Sequence, residues 1–446
     1  MKKLKALNLS PIHLSPPSLL AVGFLSFIII GTILLKLPIS HKIEISWLEA
    51  LFTATSAVTV TGLSIVDTGS AFSLFGQFVI LGLIQLGGLG FMTFAILAAL
   101  SLSPKIGLKQ QIMAQDSLDQ TSLSKVTFVA KGVVLYSMVF ELIGAGILSF
   151  AFIPEFGPVK GLYYSVFFSI SAFNNAGFSL FSDSLMSFQS NYLICLGISF
   201  LYILGGLGFI VLMDIKKTKR WKKLTANSKL VIIATILINL IAFILIWFLE
   251  SNNSLTLASM QPKDQLLNAW FQATTPRTAG FNTLDTASLR DSTTLIIMIL
   301  MTIGGGSLST ASGIKVGTFV ILILSVIAFL RRNDEVTIFH YSISHENIYK
   351  ALAVSLITCL IIVFSFFILL LLEPKLNFID LMFEVISALC TVGLSRNTTG
   401  SLHEGSLFVL IILMFVGRLG PLTIAYLIAT PKKSRIKHAN THIQIG

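Results

Sequence analysis

The sequence predicts an all-α membrane protein made of four fused repeats, each a spanning helix, a short re-entrant helix and a second span. Three observations predict it. The 446 residues are 54% hydrophobic and only 11% charged, whereas a soluble domain carries about a quarter charged residues. Apolar runs such as Leu19 to Leu35, Phe75 to Leu100, Leu230 to Leu249 and Leu352 to Leu372 approach or exceed the roughly 20 residues that cross a bilayer. Four short segments ending in glycine also recur at near-regular spacing, with Gly62, Gly177, Gly280 and Gly393 separated by 115, 103 and 113 residues.

Each quarter is read in the same order. First spans are expected at about 18–36, 128–152, 228–249 and 347–372, and second spans at about 74–100, 190–213, 293–330 and 405–429. Between them lie pieces at about 46–57, 161–172, 264–275 and 378–389, with Trp47, Tyr163, Tyr164 and Trp270 suited to a membrane interface. A dozen residues reach about half-way through a bilayer. The repeats divide at 1–104, 105–215, 216–335 and 336–446, the last carrying a C-terminal tail.

The net charge of +11 and the cluster Lys216 to Lys223 raise a nucleic-acid reading. Their distribution argues for topology instead. With these spans, 21 of the 31 Lys and Arg fall on one side, eight on the other, and Lys315 and Arg418 lie within the membrane. That asymmetry places both termini and the basic loops, including Ser101–Lys125 and Lys216–Lys229, in the cytoplasm of a multi-pass protein of the plasma or inner membrane. The basic loops suit a protein partner or anionic membrane lipid, and no nucleic acid is expected. Lys2, Lys3 and Lys5 before an apolar run resemble a signal peptide, but Lys36-Leu37-Pro38 follows in place of a small-residue cleavage site, so the run reads as a retained span. Cys195, Cys359 and Cys390 show neither disulfide nor metal spacing.

Aligned on the glycine, the loops place Ser56, Ser171, Thr274 and Ser387 six residues before it and Leu or Phe directly after. Bare backbone is tolerated at membrane depth only where it is buried in protein or lines a cavity. The economical arrangement is one cavity shared by four loops, with carbonyls ringing a dehydrated cation. The candidate residues are Thr59, Val60, Thr61 and Gly62; Asn174, Asn175, Ala176 and Gly177; Arg277, Thr278, Ala279 and Gly280; and Cys390, Thr391, Val392 and Gly393. Glycine suits backbone with φ > 0, and the short helices would aim their negative C-terminal ends at the cation. The plainer reading is that these glycines only cap short helices.

A second signal, Gly87-Gly88-Leu89-Gly90, Gly205-Gly206-Leu207-Gly208, Gly304-Gly305-Gly306-Ser307 and Gly417-Arg418-Leu419-Gly420, begins 25, 28, 24 and 24 residues after the loop glycines. With no preceding strand it is no phosphate cradle. Close helix packing through small residues suits the first two copies. In the third, the run from Gly304 to Lys315 opposes a regular helix. Arg418 near mid-membrane must reach water or a partner. It is expected to face the pore, with a buried pair to Glu141 as the alternative; the partner of Glu141 is otherwise open. Arg277 is expected to point away from the cation and brace its loop.

These segments resemble the Trk/Ktr/HKT superfamily of potassium transporters, closest to the Ktr-type membrane subunit. The resemblance rests on Thr59-Val60-Thr61-Gly62-Leu63, Thr275-Pro276-Arg277-Thr278-Ala279-Gly280-Phe281 and Gly417-Arg418-Leu419-Gly420-Pro421-Leu422-Thr423, and extends over essentially the whole chain. It implies eight transmembrane helices plus four re-entrant pore helices around a pseudo-fourfold pore. It also implies K+ uptake, often sodium-dependent, and a homodimer on a cytoplasmic regulatory ring that binds the nucleotide. Within this chain K+, and in some members Na+, is cargo rather than cofactor. The segment 304–315 is then the intramembrane gating loop, with Gly304, Gly305, Gly306, Ser307, Ser309, Ser312, Gly313, Lys315 and Arg418 as gate residues. Four glycines match the potassium-selective pattern. A membrane-embedded enzyme would concentrate His, Asp or Glu or show a nucleophile–base pair, and a proton symporter needs a carboxylate relay. The sequence offers neither.

Overall fold

The computed structural model describes residues 16–90, 123–421 and 423–424. The N-terminal lysines, most of the Ser101–Lys125 loop and the basic C-terminal tail lie outside them. A long helix followed by a short one occurs four times: Pro16–Lys36 with Trp47–Thr59, Leu123–Phe156 with Pro158–Phe173, Ala226–Glu250 with Pro262–Thr274, and His345–Leu372 with Phe378–Leu389. The starts follow from sequence. Ser46 and Glu49 form a reciprocal capping box, and Pro158 and Pro262 open their helices where an N–H has no partner anyway.

The four long helices are long and apolar enough to cross a membrane. Their outward faces leave Leu142, Phe150, Phe248 and Phe364 exposed, the arrangement lipid favours. The short helices are instead buried along most of their length, and Phe52, Phe167, Phe168, Phe173, Phe271 and Phe383 are sealed around them.

The expected second spans at 74–100 and 405–429 run partly outside the described residues; within those residues four helices, or five counting one bent pair, are long and apolar enough to cross a membrane. Leu74–Leu89 ends at Gly90 and Glu404–Leu419 at Gly420, while Tyr192–Leu207 turns by 92° at Gly208 into Phe209–Thr218. These glycines have φ of 80°, 86° and 98°, a conformation that a helix cannot continue through. The third copy breaks from Ile303 to Lys315, between Asp291–Thr302 and Val316–Leu330. A small hairpin, Thr337–Ile338 with Tyr341–Ser342, joins the third and fourth quarters through Phe339 and His340, both with positive φ.

Buried carboxylates tie the helices together at two repeat-related places. Glu250, closing the third long helix, accepts from Thr256 Oγ1 at 2.6 Å, Arg290 N at 3.0 Å and Thr293 Oγ1 at 2.5 Å. Glu373, after the fourth, accepts from His403 N and Ser406 Oγ, both at 2.7 Å. Each carboxylate thereby satisfies donors at the start of its quarter's second span, Asp291–Thr302 or Glu404–Leu419, beyond the intervening short helix. Glu250→Ala strands several of these donors, and is expected to destabilise the protein by about 3 kcal/mol. Thermal unfolding in detergent checks this, and an unchanged midpoint overturns the capping role.

Candidate functional site: four loops and an intramembrane break

Three short helices end in the same way. In the first, Thr61 N donates to Ser56 O at 2.8 Å and Val60 N to Ala57 O at 3.2 Å. Ala176 N and Asn175 N repeat this on Ser171 O and Ala172 O, and Val392 N and Thr391 N on Ser387 O and Ala388 O. This is the Schellman pattern, whose left-handed residue is usually glycine. Here it is Val60, Asn175 and Thr391, with φ of 57°, 59° and 50°. The loop glycines are therefore not the helix caps. They supply a second left-handed residue two positions later, with φ of 94° at Gly62, 68° at Gly177, 79° at Gly280 and 91° at Gly393.

The third loop reaches the same form differently. Pro276 has no N–H to donate, and Ala279 N bonds Thr275 O at 3.0 Å, with Thr278 left-handed at φ 66°. Thr275, five residues before its glycine, donates to Phe281 O at 2.6 Å as Ser171 does to Phe178 O at 2.9 Å. Thr274 bonds Tyr202 Oη instead. The six-residue offset thus fails as a structural equivalence in this quarter. Ser56 and Ser387 accept from Gly62 N and Gly393 N at 3.0 and 3.1 Å.

The four glycines meet head to tail. A Cβ on Gly62 would strike Ala176 O, one on Gly280 would strike Val392 O, and one on Gly393 would strike Thr61 O; on Gly177 it would fall 2.9 Å from Gly280 Cα and 3.0 Å from Ala279 O. The ring 62–177–280–393 closes on itself. All four glycines line one cavity of about 460 Å³, shared with Asp67, Asp183, Asp285 and Asn397.

Behind the loops, the second helices also come too close for side chains. A Cβ on Gly87, Gly205 or Gly417 would fall on the carbonyl of Val58, Phe173 or Leu389, each four residues before its loop glycine. The small-residue packing expected of the first two copies therefore extends to the fourth.

The break in the third quarter forms its own hydrogen-bonded unit. Gly304 N donates to Ile314 O at 2.8 Å, Ile314 N to Thr302 O at 3.0 Å and Val316 N to Gly305 O at 3.0 Å. It is also stitched to the second quarter, with Gly306 N on Gly206 O at 2.8 Å and Phe209 N on Leu308 O at 2.9 Å. Thr310 is its most connected residue, and sequence reasoning missed it. Its N–H bonds Gly205 O, its hydroxyl donates to Phe173 O at 3.3 Å and lies 2.9 Å from the Asn175 amide, and its carbonyl accepts from Arg418 Nη1 at 2.6 Å. Arg418 further donates to Ser312 Oγ at 3.4 Å and to the carbonyls of Gly87 and Gly88. Lys315 Nζ donates to Ala311 O at 2.6 Å. A cavity of about 240 Å³ is lined by Ser309, Ser312, Gly313, Lys315, Arg418 and Gly420, among others. Ser307 stands exposed at the edge of the break.

Arg277 turns away from its loop. Its guanidinium donates to Asn239 Oδ1 at 3.2 Å, Thr235 Oγ1 at 3.4 Å and Gly304 O at 3.0 Å, so it braces loop three against a long helix and the start of the break. Glu141 does not pair with Arg418; it accepts from Gln85 Nε2 and Asn174 Nδ2. Thr59 donates to Thr55 O, and Cys390 is buried. Among the described residues, no group of three or more His, Cys, Asp or Glu gathers to hold a metal.

A ring of backbone loops inside a bundle of helices apolar enough to cross a membrane marks a membrane transport protein. The family model TrkH, described as cation transport protein, matches residues 17–437, and the chain belongs to that family. It is 46% identical to Ktr system potassium uptake protein B of Bacillus subtilis (strain 168), covering 98% of both chains. It is 39% identical to the protein of the same name from Vibrio alginolyticus, over 96% of this chain and 95% of the other. Identity to the potassium/sodium uptake protein NtpJ of Enterococcus hirae is 37%, over 97% and 98%. The crystal structure of the potassium transporter TrkH from Vibrio parahaemolyticus shares the fold, with a TM-score of 0.72 at 19% identity, over 92% of this chain and 85% of that one.

Two glycines on one helix test the close packing. Gly87→Ala drives a Cβ into Val58 O, whereas Gly82 has nothing within 4 Å of an added Cβ. Gly87→Ala is expected to lower the thermal midpoint, and Gly82→Ala to hold or raise it, by up to about 1 kcal/mol of helix propensity. The reverse order overturns the packing argument.

Proposed function

We propose that this chain is the potassium-translocating membrane subunit of a Ktr-type uptake system. Backbone carbonyls of the four loops select K+, and the segment 304–315 is the gate. The observation that carries this reading is the closed ring of four glycines, each abutting the next quarter, opening into one shared cavity. Each loop has a left-handed residue two before its glycine and another at the glycine, and in this reading that backbone presents the loop carbonyls to the cation. Positive φ at β-branched Val60, Thr278 and Thr391 costs on the order of 1–3 kcal/mol each, strain of a kind that clusters at functional sites. The short helices end at these loops, so their partial negative charge favours a cation there.

The uptake names of three relatives fit this cargo, and the potassium/sodium name of one makes Na+ a second ion to test. In this reading the four quarters each contribute two spans and a pore helix around the ring. A homodimer rests on a separate cytoplasmic nucleotide-binding ring, and both termini face the cytoplasm. The regulatory subunit acts by displacing segment 304–315. In this reading that segment's hydrogen bonds to Gly205, Gly206, Phe209 and Arg418 are the ones that hold the gate shut.

The filter is tested with Gly393→Ala in potassium-uptake-deficient cells. The added Cβ displaces Thr61 O, so K+ uptake at equal membrane abundance is expected to fall at least about tenfold, the factor for 1.4 kcal/mol. Wild-type uptake and ion preference overturn the filter. The gate is tested with Arg418→Ala, which frees Thr310 O and Ser312. Ion flux is expected to rise several-fold and to depend less on the regulatory subunit, and unchanged kinetics remove Arg418 from the gate.

A further inference from the structure

Glu141 is a buried carboxylate that the gate and the glycine ring leave unused. It lies midway along the helix Leu123–Phe156 and is 9% exposed. Its two oxygens accept from Gln85 Nε2 at 2.9 and 3.2 Å, and one also accepts from Asn174 Nδ2 at 3.0 Å. The same Nδ2 also lies 2.9 Å from Gln85 Oε1 and from Ile170 O, so its two hydrogens are shared among three acceptors. Three side chains from three elements therefore close a ring, and Ser169 Oγ ties the backbone of Glu141 to the short helix at 2.6 Å. Gly88 closes the remaining side, because a Cβ there would fall on the Asn174 side chain.

Asn174 stands three residues before Gly177. The other loops hold this position by other means. Thr59 bonds its own helix at Thr55 O, Arg277 reaches Gly304 O, and Cys390 is packed among apolar side chains. From the geometry we infer that Glu141 is the positioning residue of the second loop: with Gln85 it fixes the Asn174 amide, and through it the carbonyls that loop two presents to the cation. The inference rests on the filter reading above. The physical basis is that an amide held by hydrogen bonds to two helices has little freedom to move, and a fixed loop resists collapse around a smaller cation.

The ring makes an unusual demand that supplies the test. Glu141→Gln keeps the shape but sets an amide N–H against the donors of Gln85 or Asn174. Because Asn174 Nδ2 donates to both residues, the exchange Gln85→Glu with Glu141→Gln restores every bond with the carboxylate on the other helix.

Uptake of K+ and Na+ is measured for the full chain in potassium-uptake-deficient cells, normalised to membrane abundance, with Gly62→Ala in parallel. Glu141→Gln is expected to reduce K+ over Na+ preference about tenfold, and the exchanged pair to restore most of it. Wild-type preference in Glu141→Gln overturns the inference. So does an exchanged pair as impaired as the single variant, since Glu141 would then act at its own position. Should Glu141→Gln not accumulate, Asn174→Ala decides, with lost preference expected and wild-type preference overturning the proposal. If Gly62→Ala keeps wild-type preference, the filter reading falls; if it loses preference while Glu141→Gln does not, only the present inference falls.

Discussion

The structure depends on one steric constraint: four main chains approach so closely that none has room for a Cβ. Gly62, Gly177, Gly280 and Gly393 each abut the carbonyl or Cα of the next quarter around a closed ring. Such contact is possible in a membrane only because the surrounding helices shield it. The lipid-facing long helices shield it from outside, and the buried short helices deliver it. Gly87, Gly205 and Gly417 apply the same constraint one layer back, seating the second helices on the carbonyls of Val58, Phe173 and Leu389. Close approach at the centre therefore propagates outward through small residues.

Much of this was legible in the sequence. The four short helices lie within about three residues of where loop spacing and apolar patterning put them, as at Phe378–Leu389 and Trp47–Thr59. The break at 303–315 was legible because consecutive Gly and Ser oppose a helix. The left-handed Val60, Thr278 and Thr391 were not, because β-branched residues argue locally against positive φ and only tertiary packing enforces it. Nor were the endings at Gly90, Gly208 and Gly420, since an apolar run reads alike whether the helix continues or turns. The ring of Gln85, Glu141 and Asn174 joins residues 33 to 89 positions apart, a pairing that no local pattern encodes.

Segment 304–315 is bound to the four-glycine ring as well as lying near it. Thr310 touches Phe173 O and the Asn175 amide of loop two, and Gly304 O receives Arg277 of loop three. Any displacement of the segment must release at least one of these bonds, so the two loops that grip it cannot be indifferent to its position. Among the described residues, the side-chain hydrogen bonds that reach the segment from the first and fourth quarters come from Arg418, which also holds the Gly87 carbonyl.

Arg418 shows how a fourfold repeat produces an asymmetric machine. Its position is held by Gly88, Gly206 and Gly305 in the other quarters. There the backbone is bare: Gly88 O accepts from Arg418 at 3.4 Å, Gly206 O accepts from Gly306 N, and Gly305 O accepts from Val316 N. Helix ends leave carbonyls without intrahelical partners, which in a membrane interior must find donors elsewhere. An arginine at such depth costs several kcal/mol unless it too is satisfied. The two deficits cancel, because one guanidinium reaches Gly87 O, Gly88 O, Thr310 O and Ser312 Oγ together. A single change from glycine to arginine at one repeat position thus turns a packing site into a clasp.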